Sequence, residues 1–223
     1  MVKKGEKMTA IQQFIQNAEP YWTAYIEHLF VQKMADGSLP KSCFQHYLKQ
    51  DYLYLYQYCR ALSLGIYKAE NFEQMRYALE ATQAILNEVE LHLQFCREWG
   101  IEEEEVRKTP ESSACVAYTR YVLDCGMRGG LAELFTAIVP CAIGYAEIGK
   151  KLTDIAAKNT PYQAWIDTYA APEYQAAVAK LADYLNQLCE NLPAEHLAKL
   201  QEIFTTATRM EISFWQMGLD QAM

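Results

Sequence analysis

Apolar positions recur along most of the chain at three- and four-residue spacing, the period of an amphipathic helix. The pattern is interrupted at Pro40, Pro110, Pro161, Pro172 and Pro193, each in a short stretch of polar or small residues. Proline is tolerated in the first helical turn and breaks a helix elsewhere, so these sites punctuate helices. The spacing predicts a helix over 9–17 with Thr9 as its cap, and a second arm from Pro20 to Ala35. Asp36-Gly37-Ser38-Leu39-Pro40 is a turn, and a long helix follows over 41–68. Asn71, with Gln74 three residues on, opens a helix to Trp99 that Gly100 ends. Pro110-Glu111-Ser112 opens another to Cys125. Gly126, Gly129 and Gly130 break the chain before a helix over 131–152. Short pieces span 162–169, and helices over 172–190 and 193–217 complete an all-α domain of eight to ten helices.

One stretch reads against this assignment. Tyr52-Leu-Tyr-Leu-Tyr-Gln-Tyr58 alternates with period two, a strand signal in a residue type that favours strands. Nothing else alternates, so such a strand would have no partner, and the segment is assigned to the long helix. Residues 1–8 read as an N-terminal extension expected to be disordered, with Met8 an alternative start, and residues 9–223 as one domain.

The length of 223 residues suits one sizeable domain. Net charge is −8, a poor match to nucleic acid or to an anionic membrane surface, so neither partner is expected. The most apolar run, 132–145, is interrupted by Glu133 and Pro140 and falls short of a membrane span. No secretory leader is recognisable. The seven cysteines are odd in number and include no Cys-x-x-Cys, which points to reduced thiols, to the cytoplasm, and to no zinc site.

Phosphate-binding glycine loops and the Gly-x-Ser-x-Gly elbow are missing. None of His28, His46, His92 and His196 follows a Glu three residues earlier, so the usual di-iron bundle pattern is absent and no metal is expected. His28 is the one first-arm candidate for a heme ligand. Glu88 and His92 lie one turn apart and read as a surface pair.

The composition is unusual in tyrosine, at 16 residues. A cluster of flat rings with polar tips suits a pocket for a planar, nitrogen-rich ligand, or equally a wide helical core. Asp51, Tyr54, Leu55 and Tyr58 share one helix face, a single carboxylate among aromatics. Cys141 follows Pro140, whose missing N–H would kink the helix and could aim the thiol into a cavity. Tyr145, one turn on, could set a hydroxyl near the sulfur. Glu211 heads a face with Phe214, Trp215 and Gly218; it is either a buried acid of raised pKa or a boundary residue paired with Arg or Lys.

Taken in order, Gln50-Asp51-Tyr52-x-Tyr54, Ala117-Tyr118-Thr119, Pro140-Cys141-x-x-x-Tyr145-x-Glu147-x-Gly149, Trp165-Ile-x-x-Tyr169 and Glu211-x-x-Phe214-Trp215 resemble the TenA family, also called thiaminase II or aminopyrimidine aminohydrolase. The resemblance spans residues 9–218 and falls in the branch with a cysteine nucleophile. It implies a heme-oxygenase-like helical bundle, a homotetramer with one pocket per subunit, and no cofactor. It implies hydrolysis of 4-amino-5-aminomethyl-2-methylpyrimidine in thiamin salvage, with thiamin a slower substrate. Cys141 would be the nucleophile, Glu211 the proton carrier, and Asp51 the group holding a ring nitrogen or the 4-amino group. Tyr54, Tyr118 and Phe214 would frame the ring. Tyr58, Tyr145 and Tyr169 would orient the thiol and the carboxylates. Ala142, Ile143 and Gly144 are smaller than the aromatics expected there, which would widen the pocket. A non-catalytic pyrimidine-binding protein on the same fold is the alternative, and a heme or di-iron oxidase a distant third.

Overall fold

Thr9 starts the first helix with a reciprocal cap: its hydroxyl accepts from the Gln12 amide while the Gln12 side chain accepts from the Thr9 amide. Asn71 and Ser112 accept from the amides of Gln74 and Cys115 in the same way. Such caps stabilise their helices by about 1 kcal/mol each. The computed structural model describes residues 8–157 and 159–223; the expected extension therefore lies, but for Met8, outside the described residues.

Among the described residues there are eleven helices and no strand. In chain order they are α1 (Ala10–Asn17), α2 (Tyr21–Ile26), α3 (Leu29–Asp36), α4 (Lys41–Lys68), α5 (Phe72–Glu98) and α6 (Glu103–Lys108). They continue as α7 (Ser113–Arg128), α8 (Leu131–Ile155), α9 (Gln163–Ala170), α10 (Pro172–Cys189) and α11 (Ala194–Asp220). The alternating tyrosines lie in α4, where helical rotation sends Tyr54 and Tyr58 inward and leaves Tyr56 exposed.

Three expectations are corrected. The arm from Pro20 to Ala35 is two helices, because His28 turns extended and its Nδ1 accepts from the Phe30 amide 3.2 Å away. Helix α6 was not anticipated; three successive glutamates in its first turn and Arg107 and Lys108 in its last favour a helix through its dipole. Gly126 is no breaker. It lies inside α7, tight against Leu134, and the chain leaves the helix only at Gly129.

Helix α8 is the axis of the bundle. It packs against α2, α7, α9, α10 and α11, and makes smaller contacts with α3 and α4. By length and composition alone it could cross a membrane, but two-thirds of its most apolar window is buried by these neighbours. Helix α4 lies between α5 and α7, and α11 spans α2, α4, α7 and α8. Gln50, fully buried, ties α4 to the segment before α7: its amide donates to the Pro110 carbonyl at 3.0 Å and its oxygen accepts from the Ser112 amide at 2.8 Å. That tether fixes α7, and with it Tyr118, relative to Asp51.

Candidate active site

Five helices bring the predicted residues to one place. Helix α4 presents Asp51, Tyr54 and Tyr58, α7 presents Tyr118, α8 presents Cys141 and Tyr145, and α11 presents Glu211 and Phe214. Tyr169 arrives from α9. All are buried except Cys141, which keeps part of its surface open. The rings of Tyr118, Phe214 and Tyr58 lie 5.1, 5.6 and 5.6 Å from that of Tyr54, and Tyr145 stacks on Trp215 at 5.2 Å. A shallow cleft lined by Tyr54, Gln57, Tyr58, Thr119 and Val122 borders this aromatic shell.

The carboxylates are held by phenols and not by cations. Tyr118 Oη donates to Glu211 Oε1 at 2.7 Å, and Tyr47 Oη lies 3.4 Å from Asp51 Oδ2. No Lys or Arg forms an ion pair with Asp51, Glu88 or Glu211 among the described residues, which overturns a boundary Glu211 paired with a base. Burial without a counter-charge favours the neutral acid. It pushes Glu211 up to about 8 and Asp51 to about 7, the Asp51 charge raising Glu211 further against the Tyr118 bond. Near neutral pH burial favours the protonated form of Glu211 and draws Asp51 towards it.

The same surroundings act on the nucleophile candidate. Burial and the nearby Glu211 and Asp51 hold the Cys141 thiol well above its ordinary pKa. It rests as a protonated thiol, without the adjacent cation that commonly stabilises a thiolate. Any reaction of this sulfur therefore requires its proton to pass to a carboxylate as the bond forms.

Tyr145 does not bond the sulfur. Its hydroxyl lies 3.2 Å from Tyr47 Oη, which also accepts from Trp165 Nε1 at 3.3 Å, so Tyr145 acts on Asp51 through Tyr47. Tyr169 Oη lies 3.4 Å from Glu88 Oε1. Glu88 and His92 are not a surface pair. His92 is buried, its Nε2 donates to the Leu48 carbonyl at 2.7 Å, and its Nδ1 lies 3.4 Å from Asp51 Oδ2. Burial, with the Asp51 charge, raises Glu88 to about 7. Sequence reasoning missed Tyr47, Glu88 and His92, yet each continues an inward stripe: Tyr47 one turn before Asp51, and Glu88 and His92 in line with Ala81, Ile85 and Cys96.

Two glycines of α8 permit close approaches. A β-carbon at Gly149 would lie 2.6 Å from the Tyr169 carbonyl carbon, so only glycine lets the α9 backbone come near enough to deliver Tyr169. A β-carbon at Gly144 would lie 2.0 Å from Cε1 of Tyr25. The small residue at 144 therefore does not widen the pocket; the ring of Tyr25, from α2, occupies the space. Glu147 of the same helix turns outward and accepts from Trp22 Nε1 at 3.0 Å, pinning α2 to α8.

Residues 15–221 match the TENA/THI-4/PQQC family. A Haemophilus influenzae protein of uncharacterised function is 57% identical over 95% of this chain and all of its own length. The aminopyrimidine aminohydrolase of Halalkalibacterium halodurans is 37% identical over 97% of this chain and 98% of its own. Among solved structures, a TenA family transcription regulator from Silicibacter superposes with a TM-score of 0.89, at 40% identity over 94% of this chain and 96% of that one. A Shewanella denitrificans domain of heme-oxygenase-like fold superposes at 0.77 over 95% of this chain and 92% of its own; at 11% identity it speaks for the fold alone. With a match over nearly its whole length and its candidate thiol, carboxylates and aromatic shell gathered in one heme-oxygenase-like bundle, the chain belongs to the TENA/THI-4/PQQC family.

Proposed function

We propose that this protein is an aminopyrimidine aminohydrolase. It converts 4-amino-5-aminomethyl-2-methylpyrimidine and water to the 5-hydroxymethyl compound and ammonia in thiamin salvage, and hydrolyses thiamin more slowly. The observation that carries this reading is one cluster that gathers a desolvated thiol, two carboxylates of raised pKa and a wall of tyrosines. Relatives named for the same activity support it.

The geometry suggests the order of events. Asp51, anchored by Tyr47 and His92, holds a ring nitrogen or the 4-amino group. The Cys141 proton passes by way of Asp51 to a ring nitrogen as the sulfur adds to the adjacent ring carbon. Electrons displaced from the ring expel the amine of the 5-substituent, which takes the Glu211 proton and leaves as ammonia. Water then adds to the exocyclic methylene, returning a proton to Glu211. The C–S bond breaks and the aromatic ring is restored. A carboxyl near pKa 8 can serve as acid in one half and base in the other.

The test is incubation with the aminomethylpyrimidine, with thiamin in parallel. Ammonia is expected with the hydroxymethyl product, faster than any thiamin loss. A folded protein that binds the pyrimidine by thermal shift yet releases no ammonia would replace this reading with a binding protein.

We place the enzyme in the cytoplasm, where its seven thiols would stay reduced, and assign it a homotetramer. Helix α5 packs chiefly on α4, leaving a stripe of Phe72 (77% exposed), Met75, Leu79 and Leu86 uncovered, with Tyr67 (84% exposed) beside it. An apolar stripe of this kind marks an association surface. Sedimentation equilibrium is expected to give four chains, and Leu79→Glu to dissociate them; a wild-type monomer at micromolar concentration overturns the assignment.

A further inference from the structure

Tyr25 has no place in the scheme above, yet its position is unusual. It is fully buried, and among the described residues no group lies within hydrogen-bond geometry of its hydroxyl, although that hydroxyl is close enough to Glu211 to favour its ionised form. A buried hydroxyl without a partner costs about 1–3 kcal/mol, so one that persists calls for an explanation. Its ring packs edge-on against Trp22 at 5.7 Å. Its oxygen lies 2.5 Å from where a β-carbon at Gly144 would sit, one turn beyond Cys141 on the same helix. Burial first, and then the titratable groups Glu211 and Cys141 beside it, hold its hydroxyl above its ordinary pKa. Tyr118 of α7 donates to Oε1 of Glu211, whereas Tyr25 approaches the same group from α2.

We propose that the Tyr25 hydroxyl holds the attacking water. This rests on the aminohydrolase reading. In the second half of that reaction the water oxygen bonds to the exocyclic methylene and one water proton passes to Glu211. The other proton stays on the new hydroxyl and is held, until then, in a hydrogen bond to Tyr25 Oη. The exocyclic C=C pair returns to the ring, the ring nitrogen loses its proton and the C–S bond to Cys141 breaks. Tyr25 is neither oxidised nor ionised. Gly144 is the residue that admits it, since any side chain there would displace the phenol.

The experiment measures how the methylene intermediate partitions. The wild type and Tyr25→Phe are incubated with the aminomethylpyrimidine and a concentration series of 2-mercaptoethanol, and the thioether-to-alcohol ratio is measured. That ratio does not depend on the amount of active enzyme, so a merely structural effect leaves it unchanged. Tyr25→Phe keeps the ring and removes the oxygen; it is expected to raise the ratio about tenfold, as loss of one hydrogen bond to the reacting water would. Gly144→Ala, which pushes the phenol aside, is expected to shift it in the same direction. An unchanged ratio in both variants overturns the proposal. A wild type that releases no ammonia overturns the aminohydrolase reading instead.

Discussion

Cys141→Ser is expected to lose turnover of the aminomethylpyrimidine by roughly a thousandfold or more while keeping its helical circular dichroism and melting temperature close to wild type. The thiol already rests protonated beside two acids, so reaction depends on a proton transfer from sulfur to a carboxylate of pKa near 7 to 8. A serine hydroxyl is far less acidic, and no neighbouring cation compensates. The fold should tolerate the change because Cys141 keeps part of its surface exposed and serine is close to it in size and shape. Ammonia release at a tenth of the wild-type rate or better would remove the sulfur from the mechanism.

Glu211→Gln carries the second large effect, and it has two signs. Turnover is expected to fall by about 100- to 1,000-fold, since the amine then leaves without a proton donor and water attacks without a base. Stability should move the other way at high pH. Burial raises Glu211 from the ordinary carboxylate range to about 8, so the folded protein holds this proton more tightly than the unfolded chain. The stabilisation from that bound proton is complete below about pH 4.5 and lost as pH rises through about 8, at about 1.4 kcal/mol per unit between. Glutamine carries no charge to bury. The variant should therefore melt above wild type at pH 9, with the gap closing towards pH 5. Parallel melting curves for the two proteins across that range would contradict the buried-acid account, whatever happened to turnover.

The elements were largely legible because their signals are local. Thr9, Asn71 and Ser112 cap the helices they precede, and the spacing from Lys41 to Lys68 persists through seven alternating residues that look like a strand. Apart from helix α6 and the break at His28, what failed depended on contacts between segments distant in sequence. The break at His28 is a local cap made by a residue type outside the usual capping set. Glu88 and His92 read as a surface pair because spacing along α5 cannot show that α4 lies over them. Gly144 read as empty space because Tyr25, which fills it, stands more than a hundred positions earlier. The predicted site residues did converge, since each lies on the inward face of its own helix. Their electrostatics were the part hidden from sequence: nothing along the chain shows that, among the described residues, no lysine or arginine pairs with Asp51, Glu88 or Glu211.

That missing cation also governs which molecules the enclosure admits. Burial raises three acids, Asp51, Glu88 and Glu211, beside the tyrosine wall, and among the described residues no lysine or arginine pairs with any of them. A neutral or protonated pyrimidine gains from that field, and a protonated amine gains most. A phosphate monoester of the same ring would bring roughly two negative charges against it with no guanidinium or ammonium to meet them. A site of this charge is therefore expected to favour an amine-bearing pyrimidine over a phosphate ester of the same ring.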